Sequence, residues 1–265
     1  MSVLSAKAFE SVTRLFHGVS GIRLGEHKQA LVAGRLQKLA QESGEDSVDA
    51  YVERLVGGHA PAEEMTRVID RLTTNETYFF REPQHFNDLS VRLRAEPQRE
   101  WQVWSAASSS GEEAYSAAML MDEVLGDGAW QITGTDLSTA MVESARRGLY
   151  PLDRARLVPP AYLGRYCLKG QREHEGQLLV ARTLRQRVRF LQANLMQELP
   201  KLPLFDVIFL RNVLIYFDNE AKGQIVRRVL RQLKPDGVLY TGHAESLSTL
   251  GLPLRTLATA IHGHG

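Results

Sequence analysis

Cysteine is all but missing from this chain: of 265 residues, only Cys167 carries a thiol. No disulfide can form within one molecule, which points to a reducing, cytoplasmic setting. Long apolar runs are missing too. Nothing approaches the roughly 20 residues that cross a bilayer, and the opening segment MSVLSAKAFESVTRLF carries charges throughout, without a signal-peptide core. Charge excess of either sign is lacking: 32 Lys and Arg face 31 Asp and Glu, for a net charge of +1. No global field therefore draws the chain to nucleic acid. The eight histidines show no metal-ligand spacing, so no metal is expected. Ser–His–Asp and Cys–His arrangements, the Gly-x-Gly-x-x-Gly pattern, internal repeats and low-complexity tracts are also missing. What remains is an ordinary globular composition, 43% hydrophobic and 24% charged.

The first 80 residues read as a small helical domain. Ala6–His17 puts Phe9, Val12, Leu15 and Phe16 on one face, and His27–Glu42 puts Leu31, Val32, Leu36 and Leu39 inside with Lys28, Arg35 and Lys38 outside. Ser47–Val56 and Ala62–Leu72 read as two more helices, and no strand pattern occurs before Trp101. Residues 81–100 form a linker and connecting helix, with Pro83 marking the helix start. From 101 to 265 strands and helices alternate, which predicts an α/β domain built on a mainly parallel sheet. The expected strands are Gln102–Ala107, Trp130–Thr135, Val188–Gln192, Phe205–Leu210 and Val238–Gly242, with a last edge strand within Pro253–His262. The expected helices are Glu112–Leu125, Ser138–Arg147 and Asn219–Leu233. Two short apolar runs around a Gly-bounded turn interrupt the alternation, predicting a small antiparallel insertion at about 165–190.

Residues Trp104–Ser116 (WSAASSSGEEAYS) carry the most chemistry. A strand runs into a turn of small residues ending at Gly111, where a helix opens with Glu112 and Glu113. Such a turn lets a ligand approach the backbone, and the free N–H groups of the helix start point into the same space. Asp136 ends the second strand, where an acid commonly receives ribose hydroxyls; alternatively it caps the helix near Ser138. The same geometry serves NAD and S-adenosylmethionine. Two carboxylates at the helix start repel a pyrophosphate, whereas a sulfonium nucleoside tolerates them. Arg211 and Asn212 follow the central strand, where open sheets bind ligands. Tyr216 either packs or reaches the site. Arg81 offers a two-pronged carboxylate clamp or a surface ion pair, and Asn75 and Thr77 offer hydrogen bonds. Phe79 and Phe80 read as interdomain packing. Asn194 either meets an adenine edge or serves its own turn. His243 and Glu245 read as capping or structural rather than acid–base groups.

Together the segments TTNETYFFRE, VWSAASSSGEEAYS, GTDLS with a downstream ARRGLY, FDVIFLRNVLIYFD and LKPDGVLYTGHAES resemble the chemotaxis receptor methyltransferases, the CheR-type family. GIRLGEHKQALVAGRL extends the likeness into the helical part. Ala114 departs from the family's usual proline in GEEPYS, Glu76 replaces an apolar or small residue, and the IHGHG ending is unlike the family's. The resemblance implies a Rossmann-like S-adenosylmethionine-dependent methyltransferase domain, a helical N-terminal domain and a β insertion. It implies methyl transfer from S-adenosylmethionine to glutamates on chemoreceptor cytoplasmic helices, with S-adenosylhomocysteine as product. Carried onto this sequence, the cofactor residues are Asn75, Thr77, Arg81, Glu113, Asp136, Asn194, Leu195, Arg211 and Asn212, alongside Gly111 of the turn. Arg81 and Tyr216 fall near the transferred methyl. The basic face Lys28, Arg35 and Lys38 suits acidic receptor helices, and the insertion suits a receptor's C-terminal peptide by strand addition. A monomer that binds neither nucleic acid nor the membrane interior is expected. The rival readings are a catalytically silent S-adenosylmethionine-binding receptor-interaction module and a methyltransferase of another protein.

Overall fold

The computed structural model describes residues 4–58 and 60–265. Four helices come first: α1 (Ala6–Ser20), α2 (Gln29–Glu42), α3 (Val48–Val56) and α4 (Ala62–Leu72). Ser5 and Ser47 supply the side-chain N-caps of α1 and α3. The four helices close on one cluster that includes Val12, Phe16, Leu36, Leu39, Tyr51, Val68 and Leu72. Leu31, expected inside, is 44% exposed. The buried stripe of α2 runs through Val32, Leu36, Leu39 and Ala40, and position 31 falls beside it. Arg35 does not belong to an outer basic face either. It turns back and donates to the carbonyls of Leu72 (2.8 Å) and Thr73 (3.1 Å), capping the end of α4.

Helix α5 (Pro83–Ala95) leads into the sheet region, with Pro83 in its first turn. Then follow β1 (Trp101–Ala106), α6 (Glu112–Leu125), β2 (Trp130–Asp136) and α7 (Thr139–Arg147). After them come β3 (Leu149–Pro151), α8 (Pro160–Tyr166), β4 (Cys167–Lys169), β5 (Gln177–Val180) and α9 (Arg182–Arg185). The chain ends with β6 (Val188–Gln192), β7 (Phe205–Leu210), α10 (Asn219–Leu230), β8 (Leu233–Thr241), β9 (Leu254–Ala258) and β10 (Ile261–His264).

Seven strands form one sheet in the order β6-β2-β1-β7-β8-β10-β9. The first five are parallel, and β10 pairs antiparallel with both β8 and β9. Strand β7 is buried along its whole length, as its unbroken apolar run requires. The chain winds outward from β1 through β2 to β6, then returns to the other side of β1 as β7, so strand order reverses between β1 and β7. A crevice opens at such a point, beyond the carboxyl ends of the strands.

Several boundaries differ from the sequence reading, and the helix expected to run to Leu233 ends at Leu230. The expected last strand is a hairpin, β9 and β10, turning at Ala260 in a left-handed conformation. The segment KPDG lies within β8, where the pairing register with β7 shifts; an irregularity of this kind accommodates Pro235 in a ladder. The insertion's sheet has the order β3-β5-β4 and so begins at Leu149, ahead of the expected 165. Three-residue strands such as β3 carry too little periodicity to be read from sequence.

Candidate cofactor cleft

A cleft lies over the β1–β7 switch point, roofed by Ser20, Ile22, Leu24 and Lys28 of the helical part. Asp70 of α4 helps hold the two parts together, accepting hydrogen bonds from Ser138 Oγ (2.6 Å) and Thr139 Oγ1 (2.9 Å) at the start of α7.

Asp136, at the end of β2, is 7% exposed and lines the cleft. Its two carboxylate oxygens accept from the backbone N–H groups of Ser109 (2.8 Å) and Ser138 (2.9 Å). It therefore fixes the small-residue turn and also braces the start of α7, for which Ser138 is the side-chain cap. Burial pushes its carboxyl up to about 6, although the N–H groups of Ser138 and Ser109 pull the other way. Next to it, Ser108 Oγ is buried and has no hydrogen-bond partner among the described residues.

Gly111 is the one expected site residue outside the lining. Its φ of 96° is left-handed, and a Cβ there would meet Ala145 Cβ at 2.8 Å and the Phe190 ring at 3.0 Å. Its N–H is already spent on Ser108 O (2.9 Å). The glycine is thus required by packing beneath the turn. Of the two carboxylates that follow, Glu112 is fully buried and bonded to Arg154 (2.8 Å) and Ser110 (2.7 Å). Glu113 faces the cleft.

Arg211, 5% exposed, anchors the cleft floor. It donates to Glu113 Oε2 (2.9 Å), to Glu82 Oε2 (3.2 Å) and to the carbonyl of Arg81. Asn212, in a left-handed conformation with φ 56°, donates its amide to Glu82 Oε1 (3.1 Å). Burial raises the Glu113 carboxyl, against the opposing pull of Arg211 and Ser105. For Glu82 burial also acts upward, but the Asn212 amide and the Arg211 guanidinium outweigh it and hold the carboxyl low. Glu245 shapes the next stretch: its carboxylate accepts from the N–H groups of Gly242 (2.7 Å), Asn212 (2.8 Å), Leu214 (2.6 Å) and Ile215 (3.3 Å). This agrees with the structural role read for it.

Asn75, Thr77, Arg81, Asn194, Leu195 and Tyr216 all line the same cleft. Asn194 is largely committed elsewhere: its amide donates to Val19 O (2.7 Å) and its oxygen accepts from Met196 N (2.9 Å). Arg81 donates to Glu76 O (3.0 Å) and lies 5.7 Å from the Tyr78 ring centroid. Lys28 stands at the same distance, 5.7 Å, over the Tyr216 ring. Burial raises the Tyr216 phenol, with nearby Arg81 opposing, so the hydroxyl keeps its proton at neutral pH.

Glu82 and Arg154 lie outside the sequence reading. Glu82 follows Arg81 in NETYFFRE, and the one signal was a carboxylate beside a candidate arginine. Arg154 had no signal. It sits on a 3₁₀ turn beyond β3, donates to Thr77 O (3.0 Å) and accepts from Phe79 N (3.2 Å), tying the insertion to the Asn75–Arg81 wall.

Residues 75–260 match the family description "CheR methyltransferase, SAM binding domain", and residues 7–73 match "CheR methyltransferase, all-alpha domain". The chain is 39% identical over 250 residues to a chemotaxis protein methyltransferase of Salmonella typhimurium, covering 93% of this chain and 86% of that protein. It is 38% identical over 250 residues to a chemotaxis protein methyltransferase of Escherichia coli, covering 93% and 87%. Chemotaxis protein methyltransferase 1 of Pseudomonas aeruginosa is 38% identical over 255 residues, covering 91% of each chain.

Proposed function

We propose a function from one premise: this chain belongs to the CheR methyltransferase family. It is an S-adenosylmethionine-dependent methyltransferase. Its substrates are chemoreceptors, and the groups it methylates are glutamate side chains of their cytoplasmic helices. The observation that carries this reading is one cleft in which a buried acid, Asp136, and an unpartnered hydroxyl, Ser108, share a wall with Arg81 and Tyr216.

The residues present fit a methyl-donating nucleoside. Asp136 offers acceptor lone pairs to ribose hydroxyls beside their two backbone partners. Ser108 Oγ is a buried polar atom in want of a partner. When bound, S-adenosylmethionine supplies an electrophilic methyl group and departs as S-adenosylhomocysteine.

The chain's own residues then have a limited task. A glutamate acceptor ionises near pH 4, so at neutral pH no general base is needed and no proton moves. Arg81 holds one acceptor oxygen while the other attacks in line. Among the described residues its guanidinium is held by Glu76 O and the Tyr78 face, so it can leave them for the incoming carboxylate. Tyr216 keeps its proton and orients the acceptor by donating to it. The roof residues Ile22 and Leu24 exclude water from the nucleophile.

The finer partner assignments belong to the same reading. Strand β4 is an edge of the small sheet with Leu168 61% exposed, and it takes a receptor's C-terminal peptide by strand addition. The protein acts as a cytoplasmic monomer without nucleic acid; no helix among the described residues is long and apolar enough to cross a membrane. The test is transfer of radiolabelled methyl from S-adenosylmethionine to receptor-containing membranes, followed by mild alkali. Label released as methanol supports a carboxyl methyl ester. Absence of label, with cofactor binding intact by calorimetry, rejects this assignment in favour of a silent binding module or another acceptor.

A further inference from the structure

Glu82 and His85 stand at the start of α5, and His243 lies just beyond the end of β8. One ligand atom from each lies within 4.8 Å of the others. His85 Nδ1 is 3.6 Å from Glu82 Oε2. Two donors of a tetrahedral zinc site, each roughly 2.1 Å from the metal, are about 3.4 Å apart, so this edge already has the required length. His243 is exposed and its ring centre is 5.2 Å from that of His85, so a side-chain rotation can close the remaining gap.

The state of His85 is unusual. The ring is fully buried, and among the described residues neither nitrogen has a hydrogen-bond partner. Buried polar groups are nearly always satisfied, and an unsatisfied one asks for an explanation such as an ion. The ring is not free to search for partners, because it stacks on Tyr240 at 5.0 Å and 21°. The charges around the three residues also leave room for a cation. Two carboxylates, Glu82 and Glu113, surround a single guanidinium, Arg211.

We propose that Glu82, His85 and His243 bind one divalent transition-metal ion of the zinc class, with water completing the coordination on the exposed His243 side. Two imidazoles and one carboxylate suit zinc, cobalt or nickel; calcium and magnesium would require more oxygen ligands than these residues provide. The site shares Glu82 with Arg211 and Asn212. A bound metal draws the Glu82 carboxylate away from both and loosens the cleft floor. Metal and S-adenosylmethionine therefore oppose each other, a consequence that rests on the functional reading above.

The test titrates the full-length protein with cobalt(II) chloride and reads the visible absorption of a low-coordinate cobalt site. The expected result is saturation at one equivalent, reversed by zinc chloride. His243→Ala changes an exposed residue and leaves the fold intact; it weakens cobalt binding by at least about tenfold, the loss that even an outer-shell partner brings. His85→Gln does the same. Absence of a saturable spectrum overturns the proposal, as does a His243→Ala titration identical to that of the wild type. Calorimetry of S-adenosylmethionine with and without zinc then reads the coupling. Weaker cofactor binding in zinc for the wild type, but not for His243→Ala, is expected; affinity unmoved by zinc overturns the coupling. Failure of the cofactor to bind at all overturns the functional reading and leaves the cobalt result standing.

Discussion

Strand β7 meets an ion network at each end, and the two networks differ in kind. At its start, Asp206 is 2% exposed and accepts from Arg99 Nε (2.7 Å), Lys234 Nζ (2.8 Å) and Gln102 N (2.7 Å). Arg99 reaches on to Asp236 (2.7 Å), and each charge has a partner in ordinary backbone geometry. Just past its other end, Arg211 sits between Glu113 and Glu82. Around it Phe80, Glu82, Ala107, Ser109 and Asn212 all adopt left-handed backbone conformations, with φ between 49° and 56° for four of them and 64° for Ala107. There too Ser108 Oγ and both nitrogens of His85 lack partners among the described residues. One end of the strand is relaxed and satisfied. The other stores strain and unsatisfied polar groups, which persist where the surrounding structure over-determines them and where a ligand has a use for them. The start of β7 therefore supports stability, and its end supports binding and chemistry.

Breaking the relaxed end gives the largest effect. Asp206→Ala leaves Arg99 and Lys234 without their shared carboxylate and lowers stability by roughly 3 kcal/mol, at the low end for a broken buried pair because both cations remain partly solvated. Urea denaturation measures this, and cofactor affinity of the folded protein stays within about twofold. A large loss of affinity at unchanged folding would erase the division between the two ends. Second, Arg81→Ala lowers turnover about a hundredfold, or roughly 2.7 kcal/mol of transition-state stabilisation, with little change in melting temperature. Turnover near the wild-type level in a methyl-transfer assay would remove Arg81 from the chemistry.

Third, Asp136→Asn weakens S-adenosylmethionine binding by about tenfold, roughly 1.4 kcal/mol, as measured by calorimetry. The pH dependence sharpens this. With its carboxyl at about 6, wild-type Asp136 gains a proton as pH falls through that value, and cofactor affinity falls with it. The asparagine variant shows no such step. The stability effect has the opposite sense: the folded protein holds this proton more tightly than the unfolded chain, whose carboxyl titrates near 3.8. The group's contribution to stability is therefore full below 3.8 and is lost as pH rises toward 6. The smallest effect is expected for Tyr216→Phe, a few-fold loss of turnover worth under about 1 kcal/mol. A loss as large as that of Arg81→Ala would make the phenol a principal catalytic group rather than an orienting one.

Periodicity and punctuation made much of the fold legible. Helix α6 and strands β6 and β7 fall where the pattern puts them, because each is a long or strongly apolar segment with a clear stop. The hairpin β9–β10, the start of the small sheet at Leu149 and the shifted ladder of β8 were not legible. Short edge strands take their pairing from neighbours distant in sequence. In the cleft, the type and order of the polar residues could be read, but their allegiance could not. Asn194 reads either as a group for a base edge or as a turn residue; folded, its oxygen serves the turn at Met196 and its amide holds α1. Gly111 looked like an approach for a ligand, yet it makes room for Ala145 and Phe190.

The sequence alone determined the alternation of strands and helices, the small-residue turn, the acid after the second strand and the arginine after the central one. These are local patterns, written within a few residues by side-chain period and backbone permission. Tertiary structure alone decided that Glu82 would meet Arg211, that Arg154 would hold the Asn75–Arg81 wall, and that His85 would be buried beside His243 without a partner. Each of these joins elements far apart in the chain. Burial and the charges brought alongside set the behaviour of a titratable group, and both exist only once the chain has folded.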